Sequence, residues 1–365
     1  MTQRRFVADF SLALINRTGA FFVCRDIVEH LPQFFLAVRY WRLFLSNLPT
    51  GLTRKLLGRA MLFEINHLGF LKALPRARLP RATPREAGAA CLFLDPLYVL
   101  HTRVESNDIV LCHDVGPVTH PDLFDRNTSA LYRTAYDIIR ECGPRMVFVS
   151  ESSKSAFNEC IAGVFPCQSV IPLYVRANLQ TGEAVAPGGV TAPFLLTVGA
   201  FETRKNHRRI IEAFVASGLH ERGYSIAFCG PRGNSASQVE ALSRSLPGVR
   251  GLGYCSDEEL RWLYRNASGF VLPSLLEGFG LPALEAAQHG LVSIVSAGGA
   301  QEEAVGAGAL AVDPTSVPDI AQGMVRLVDM PEGERSWRLS LSRQRASELS
   351  LERYLAQWAE ILTAR

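Results

Sequence analysis

"SGFVLPSLLEGFGLPALEAAQHGLVSIVS" (Ser268 to Ser296) holds one full period of a repeating pattern. "SGFVLPS" is an apolar run of strand length, "LLEGFG" a glycine-bearing exit loop, and "LPALEAAQHG" a helical pattern with Pro282 in its first turn and Gly290 as its stop; "LVSIVS" begins the next apolar run. Strand, crossover helix and second strand imply a parallel sheet covered on both faces.

Outward from this stretch the pattern continues. Upstream it reads "PFLLTVGA", "NHRRIIEAFVASGLHE", "YSIAFCG", "SASQVEALSRSL", "VRGLGY" and "SDEELRWLYRNA", with Ser256 and Glu259 spaced as a capping box and Asn206 placed to cap the helix it opens. The first half alternates less regularly, with strands expected at "RFVADFSLALI", "ACLFLDP", "DIVLCHD", "MVFVS" and "SVIPL" and helices at "GAFFVCRDIVEHL" and "SALYRTAYDIIREC". Between the halves, "ANLQTGEAVAPGGVTAP" (Ala177 to Pro193) has the small, polar, Gly- and Pro-rich composition of a linker. These features predict an α/β protein with one domain over 1–185, a second over 186–345 and a C-terminal helix over 346–365 that packs back on the first domain.

Composition excludes several classes. With 365 residues, 48% hydrophobic and 20% charged, the chain is long enough for two cores and too apolar for disorder. A net charge of +3 gives no general signal for nucleic acid. The eight cysteines show no CxxC or CxxH spacing, which fits reduced thiols in a cytoplasmic setting. The N-terminal apolar run is interrupted by Asp9 and reads as a strand, not a leader peptide; no uncharged apolar stretch reaches membrane-spanning length. Charge is uneven, however. Between Leu31 and Arg85 ten basic residues (Arg39, Arg42, Arg54, Lys55, Arg59, Lys72, Arg76, Arg78, Arg81, Arg85) stand against one acid, Glu64, among Phe34, Phe35, Tyr40, Trp41, Phe44, Leu56, Leu57 and Phe63. Two readings fit: a peripheral membrane surface, or a solvated helical face over a core.

The chemistry gathers at expected strand ends. Ligands of open parallel sheets bind beyond the carboxyl ends of the strands. Glu277 lies in such an exit loop and Glu285 about one turn into the next helix. Ionised carboxylates only accept hydrogen bonds, which suits hydroxyl-rich ligands such as a sugar and a ribose. Gly278 and Gly280 let backbone amides approach a ligand, and the helix start favours an anion. In "VGAFETRKNHRRIIEAF", Arg204 and Lys205 stand at a helix's positive end, where cations are unfavourable unless an anion such as a diphosphate compensates them. The chain has no Asp-x-Asp pair, so metal-independent stabilisation of phosphates is expected, with no cofactor.

In combination, "VGAFETRKN", "LGYCSDEELRWLYRNASGFVLPSLLEGFGLPALEAAQHG" and the "HD" of "DIVLCHDV" resemble the retaining glycosyltransferases of family 4, whose GT-B fold has two facing Rossmann-like domains with a cleft between them. The resemblance implies that Glu277 contacts the donor sugar, Glu285 holds the ribose, and the backbone at Gly278, Phe279, Gly280 and Leu281 meets the sugar and diphosphate. Arg204 and Lys205 would bind the diphosphate, and His113 would face the reacting sugar. Gly19 takes the place of a family glycine loop, with Thr18 and Ala20 where adjacent glycines are common, and Ala200 stands where many relatives carry a base. The nucleotide base would be read near Arg232 and Tyr254.

The expected function is transfer of a sugar, mannose favoured, from a nucleoside diphosphate sugar, GDP-mannose favoured over UDP-sugars, to a hydroxyl of a glycan or lipid-linked acceptor in exopolysaccharide or O-antigen assembly, at the inner face of the cell membrane. The alternatives are a non-catalytic sugar-nucleotide-binding protein of this fold, a sugar-nucleotide epimerase, or a phosphorylase that would need a pyridoxal lysine. A nicotinamide dehydrogenase is disfavoured because "GPRGN" at Gly230 lacks the full GxGxxG pattern.

Overall fold

In the computed structural model, residues 6–16, 19–71, 89–176, 179 and 181–364 are described. The chain divides into two compact units, Met1–Pro172 with Glu352–Arg365, and Leu173–Leu351.

The first unit contains β1 (Phe6–Asp9), β2 (Phe35–Tyr40), β3 (Leu43–Phe44), β4 (Ala90–Phe93), β5 (Ile109–Cys112), β6 (Arg145–Phe148) and β7 (Gln168–Val170). They form one sheet in the order β3-β2-β1-β4-β5-β6-β7, parallel except for the edge strand β3. The second unit contains β8 (Phe194–Val198), β9 (Ser225–Cys229), β10 (Val249–Gly253), β11 (Gly269–Leu272), β12 (Ser293–Ser296) and β13 (Leu310–Val312), all parallel, in the order β10-β9-β8-β11-β12-β13. Both sheets therefore reverse their winding beside their first strand, as Rossmann-type sheets do; in the second unit the reversal falls between β8 and β11. β1, β4, β5, β11 and β12 are buried at every residue, as strands covered on both faces must be.

Local rules account for most boundaries. Ser256 and Glu259 form the reciprocal capping box of helix Asp257–Asn266, and Pro282 sits in the first turn of helix Leu281–Gln288. Four expectations need correcting. The long first run is two elements, because β1 ends at Asp9 and Ser11–Leu14 turn as a 3-10 helix. The Asp9 carboxylate is buried under an ion pair with Arg39 (2.6 Å) and accepts the Ser11 N–H (3.0 Å), which turns the chain out of the sheet.

The basic, aromatic segment is not one helical face. Phe34, Phe35 and Tyr40 are core, Arg39 is 2% exposed, and β2 lies inside the sheet. Glu64 accepts from Trp41 (2.7 Å) and pairs with Arg42. Lys72, Arg76, Arg78, Arg81 and Arg85 lie outside the described residues.

The units separate at Pro172, not near 186. The polar stretch that reads as a linker is tied to the second unit: Arg261 donates to the Glu183 carbonyl (2.7 Å) and Val185 N–H to the Glu258 carbonyl (3.2 Å). Composition registers neither these ties nor the burial of Leu179 and Val190. Asn206, finally, does not cap its helix (below). The last helix, Leu351–Thr363, packs within the first unit. Tyr354 donates to the Val23 carbonyl (3.3 Å), and Arg145 to those of Ile361 and Ala364 (3.0 and 3.2 Å). All eight cysteines are free thiols.

Candidate active site

The loops leaving β8 and β11, on either side of the reversal in the second sheet, are stitched to each other. The Arg204 carbonyl accepts the N–H of Leu275 (2.8 Å). Asn206, buried and at φ +62°, donates its side-chain amide to the carbonyls of Pro273 (2.9 Å) and Pro314 (2.7 Å), residues that follow β11 and β13. Asparagine tolerates the left-handed conformation; its Nδ2 donates to the two proline carbonyls while its Oδ1 accepts from the Arg209 side chain (3.2 Å) and not from the N–H groups of the helix that starts at His207.

This stitching brings three of the expected residues together. Lys205 lies 2.5 Å from Glu277 and Arg204 3.4 Å from it, while Ser274 donates to the same carboxylate at 2.9 Å. Arg204 also pairs with Glu202 at 2.6 Å. Burial works against the Glu277 carboxylate, but Lys205 and Arg204 outweigh it and hold the group below the ordinary carboxylate range. Burial pulls the Lys205 ammonium below the usual lysine range, with Glu277 opposing. Next to them His207, ringed by Phe201 and Phe228, is pushed down to about 4 by burial and then by the Lys205 charge; it is a neutral packing residue.

Glu285 belongs to a different cluster. It projects from helix Leu281–Gln288, is 5% exposed, and accepts from Arg176 (3.2 and 3.3 Å) and from the Tyr264 hydroxyl (3.0 Å). Here burial prevails over Arg176 and raises the carboxyl above its ordinary value. Arg176 and Tyr264 were not singled out from the sequence. Tyr264 sits in an ordinary amphipathic pattern, and Arg176 carries no motif.

Between the acids, Gly280 holds φ +106° ahead of helix Leu281–Gln288, and no side chain caps that helix. A Cβ on Gly280 would lie 2.9 Å from the Gln301 side chain, so the close approach and the positive φ both demand glycine. The Gln301 side-chain Oε1 accepts from Ser274 N (3.4 Å) and Ser296 N (3.3 Å), bracing the loop from behind. Phe279 is buried at 3% and packs inward, Leu281 opens the helix, and Gly278 is half-buried in the loop. Tyr254, after β10, is 78% exposed, and Arg232 pairs with Glu240. The arrangement offers two cations, an uncapped helix start and a fixed carboxylate, a combination suited to a ligand that is anionic at one end and hydroxylated at the other.

In the first unit, His113 follows β5 and its Nε2 lies 3.0 Å from the Leu94 carbonyl, an acceptor that places the proton on Nε2. Cys24 Sγ is 3.7 Å from the same nitrogen. Sequence reasoning missed the neighbouring Asp95, a buried carboxylate that accepts from Leu97 N (2.8 Å) and the Tyr132 hydroxyl (3.0 Å) and that burial raises above its usual range. Gly19 opens helix Gly19–His30, and its neighbours Arg17 and Thr18 lie outside the described residues. Among the described residues no three His, Cys, Asp or Glu side chains are grouped to hold a metal ion, and no helix is long and apolar enough to cross a membrane.

Comparison with known proteins bears on the second unit first. The family described as Glycosyl transferases group 1 matches residues 187–340. Residues 187–340 belong to the group 1 glycosyl transferases. This group 1 region contains the β8 and β11 loops and both glutamates. The chain is 34% identical over 149 residues to the O-antigen chain mannosyltransferase B of Escherichia coli, a match covering 40% of this chain and 38% of that protein. It is 31% identical over 185 residues to the GDP-mannose:cellobiosyl-diphosphopolyprenol alpha-mannosyltransferase of Komagataeibacter xylinus, covering 50% and 46%. The matches thus span less than half the length of these curated relatives. Among solved structures, an alpha,alpha-trehalose-phosphate synthase (UDP-forming) from Burkholderia vietnamiensis superimposes with a TM-score of 0.60 at 14% identity, over 86% of this chain and 78% of that one. The fold is GT-B, with two Rossmann-like domains.

Proposed function

We propose that the protein is a retaining glycosyltransferase that moves a hexosyl unit, mannose favoured, from a nucleoside diphosphate sugar to a hydroxyl of a glycan or lipid-linked acceptor in cell-surface polysaccharide synthesis. The observation that carries this reading is the Glu277–Lys205–Arg204 cluster at the β8/β11 reversal, next to an uncapped helix start. Relatives named as mannosyltransferases, one of them for GDP-mannose, support mannose and GDP-mannose over UDP-sugars.

Cleavage of the sugar–phosphate bond builds negative charge on the departing diphosphate. Lys205, Arg204 and the first-turn amides after Gly280 are the donors for that charge, already oriented by Glu277 and Glu202. Glu277, kept ionised, accepts from the donor sugar's hydroxyls. Glu285 receives the ribose, and the leaving phosphate takes the acceptor's proton. No metal or cofactor enters this scheme.

The exposed side of helix Gly51–Leu71 supports a peripheral position at the inner face of the membrane. Leu52 (72%), Leu56 (56%) and Phe63 (65%) are exposed there alongside Lys55 and Arg59, opposite the inward Met61 and Ile65. The test is to incubate the protein, without added metal, with GDP-mannose or UDP-sugars and lipid-linked acceptors, reading product configuration by NMR. An α-linked product from an α-configured donor, lost in Glu277→Gln, is expected. Wild-type turnover in that variant, or no nucleoside diphosphate binding at all, overturns the reading.

A further inference from the structure

Among the described residues, Glu285 is a buried acid with a single cation against it. Arg176 reaches Oε1 through Nε and Nη2, and Tyr264 donates to Oε2. A carboxylate offers about four acceptor positions, so these bonds leave one, on Oε2. Tyr264 is fixed in turn by the His289 ring, stacked at 5.1 Å and 3°. The charged and titratable groups around the carboxylate are therefore Arg176 from the segment before β8, Tyr264 and Asp257 from helix Asp257–Asn266, and His289 from the turn after Gln288. Asp257 disfavours the ionised form, the Tyr264 hydrogen bond favours it, and Arg176 is the main counterweight to burial. Without Arg176, burial would neutralise the acid, and a neutral carboxyl loses acceptor capacity for a sugar hydroxyl.

We propose that Arg176 is a positioning residue for the nucleotide: it holds Glu285 ionised and turned so that the open position on Oε2 accepts a ribose hydroxyl. This rests on Glu285 being the ribose acceptor, as read above. Arg176 itself need not touch the ligand. Its effect appears in how strongly the protein prefers ribose over 2′-deoxyribose, a ratio from which the titration of the diphosphate cancels.

Calorimetry of GDP and 2′-deoxy-GDP tests this on the full chain. A hydrogen bond to a charged group corresponds to a preference of about tenfold or more, which is the expectation for the wild type. In Arg176→Met the preference falls toward one near neutral pH and recovers as the pH is raised, because deprotonation restores the carboxylate. Arg176→Lys retains it at neutral pH. If Arg176→Met does not fold, Arg176→Gln is read the same way. A wild-type ratio in Arg176→Met, or a loss that is independent of pH and shared by Arg176→Lys, overturns the proposal. Glu285→Gln separates the two levels: loss of preference there while Arg176→Met keeps it sinks only the role of Arg176. Retention in Glu285→Gln, or no GDP binding to the wild type, sinks the ribose reading itself.

Discussion

Glu277 and Glu285 stand eight residues apart on one loop and helix, and both are buried, yet their ionisation is pushed in opposite directions. The desolvation cost is common to both; the neighbours differ. Glu277 meets a lysine, an arginine and a serine hydroxyl, so its charge is pinned. Glu285 meets one guanidinium and a phenol, and burial wins. The first acid is thus held as an anion between two cations, and the second, among the described residues, has one cation and a phenol to offset its burial.

The sharpest way to break this contrast is Lys205→Ala. Removing one fixed donor from a developing oxyanion costs about 10²–10³-fold in turnover, and here the same change also strips Glu277 of its nearest cation. We expect donor turnover to fall by that amount, with nucleoside diphosphate affinity falling less. Arg204→Ala, whose side chain is shared with Glu202 and is 20% exposed, has a smaller effect. Equal and small losses in the two variants would mean that the cluster is structural.

The acids themselves sharpen the comparison through kinetics. If Glu277 acts on the reacting sugar as proposed, Glu277→Gln lowers kcat, through the lost charge and the lost alignment of Lys205. Glu285→Gln weakens GDP binding by about tenfold, the magnitude of one charged hydrogen bond, with kcat nearly unchanged. Identical profiles would merge the two roles.

The sequence carried the two sheets because strand–helix alternation is a local signal, and it carried the Glu277 cluster because the motif and the strand end coincide. Other features depend on distant partners. Asp9 and Arg39, thirty residues apart, form a buried pair that composition reads as a loose charge in a basic tract. Arg176 reaches Glu285 across more than a hundred residues, from a segment without periodicity. Asn206 has the residue type of a helix cap, and only the convergence of the β11 and β13 ends reveals that its Nδ2 bridges two proline carbonyls while its Oδ1 accepts from Arg209.

Asn206 also tests whether the first cluster depends on its scaffold. Asn206→Ala leaves the Pro273 and Pro314 carbonyls without this donor and puts alanine, which tolerates the left-handed region less well than asparagine, at φ +62°. Lost partners of buried groups cost about 1–3 kcal/mol, so a clear fall in thermal midpoint is expected. Asn206→Gly relieves the backbone strain but not the missing bonds, and recovers only part of it. Full recovery in the glycine variant would show that conformation, not stitching, is what Asn206 supplies.

The smallest effect is the pH dependence of stability. Glu277 has its folded value lowered, so its contribution is present above the unfolded carboxyl range, about 4.3, and is lost as the pH falls through the folded value. Glu285 has its folded value raised. The folded state binds that proton more tightly, so its contribution is complete below the same range and is lost as the pH climbs toward the folded value. His207, pushed to about 4, also destabilises the fold in acid; because the Glu277 charge opposes that shift, the His207 contribution cancels in the difference against Glu285→Gln, and in Glu277→Gln it adds to the variant's own acid sensitivity. Measured against Glu285→Gln, the wild type should therefore gain thermal stability as the pH falls through the raised folded value of Glu285 toward the unfolded carboxyl range, about 4.3. Measured against Glu277→Gln it should lose stability below about pH 4. Two difference curves with the same slope would mean that neighbours do not distinguish the acids, and the contrast between a pinned anion and a conditional acceptor would fail at its physical root.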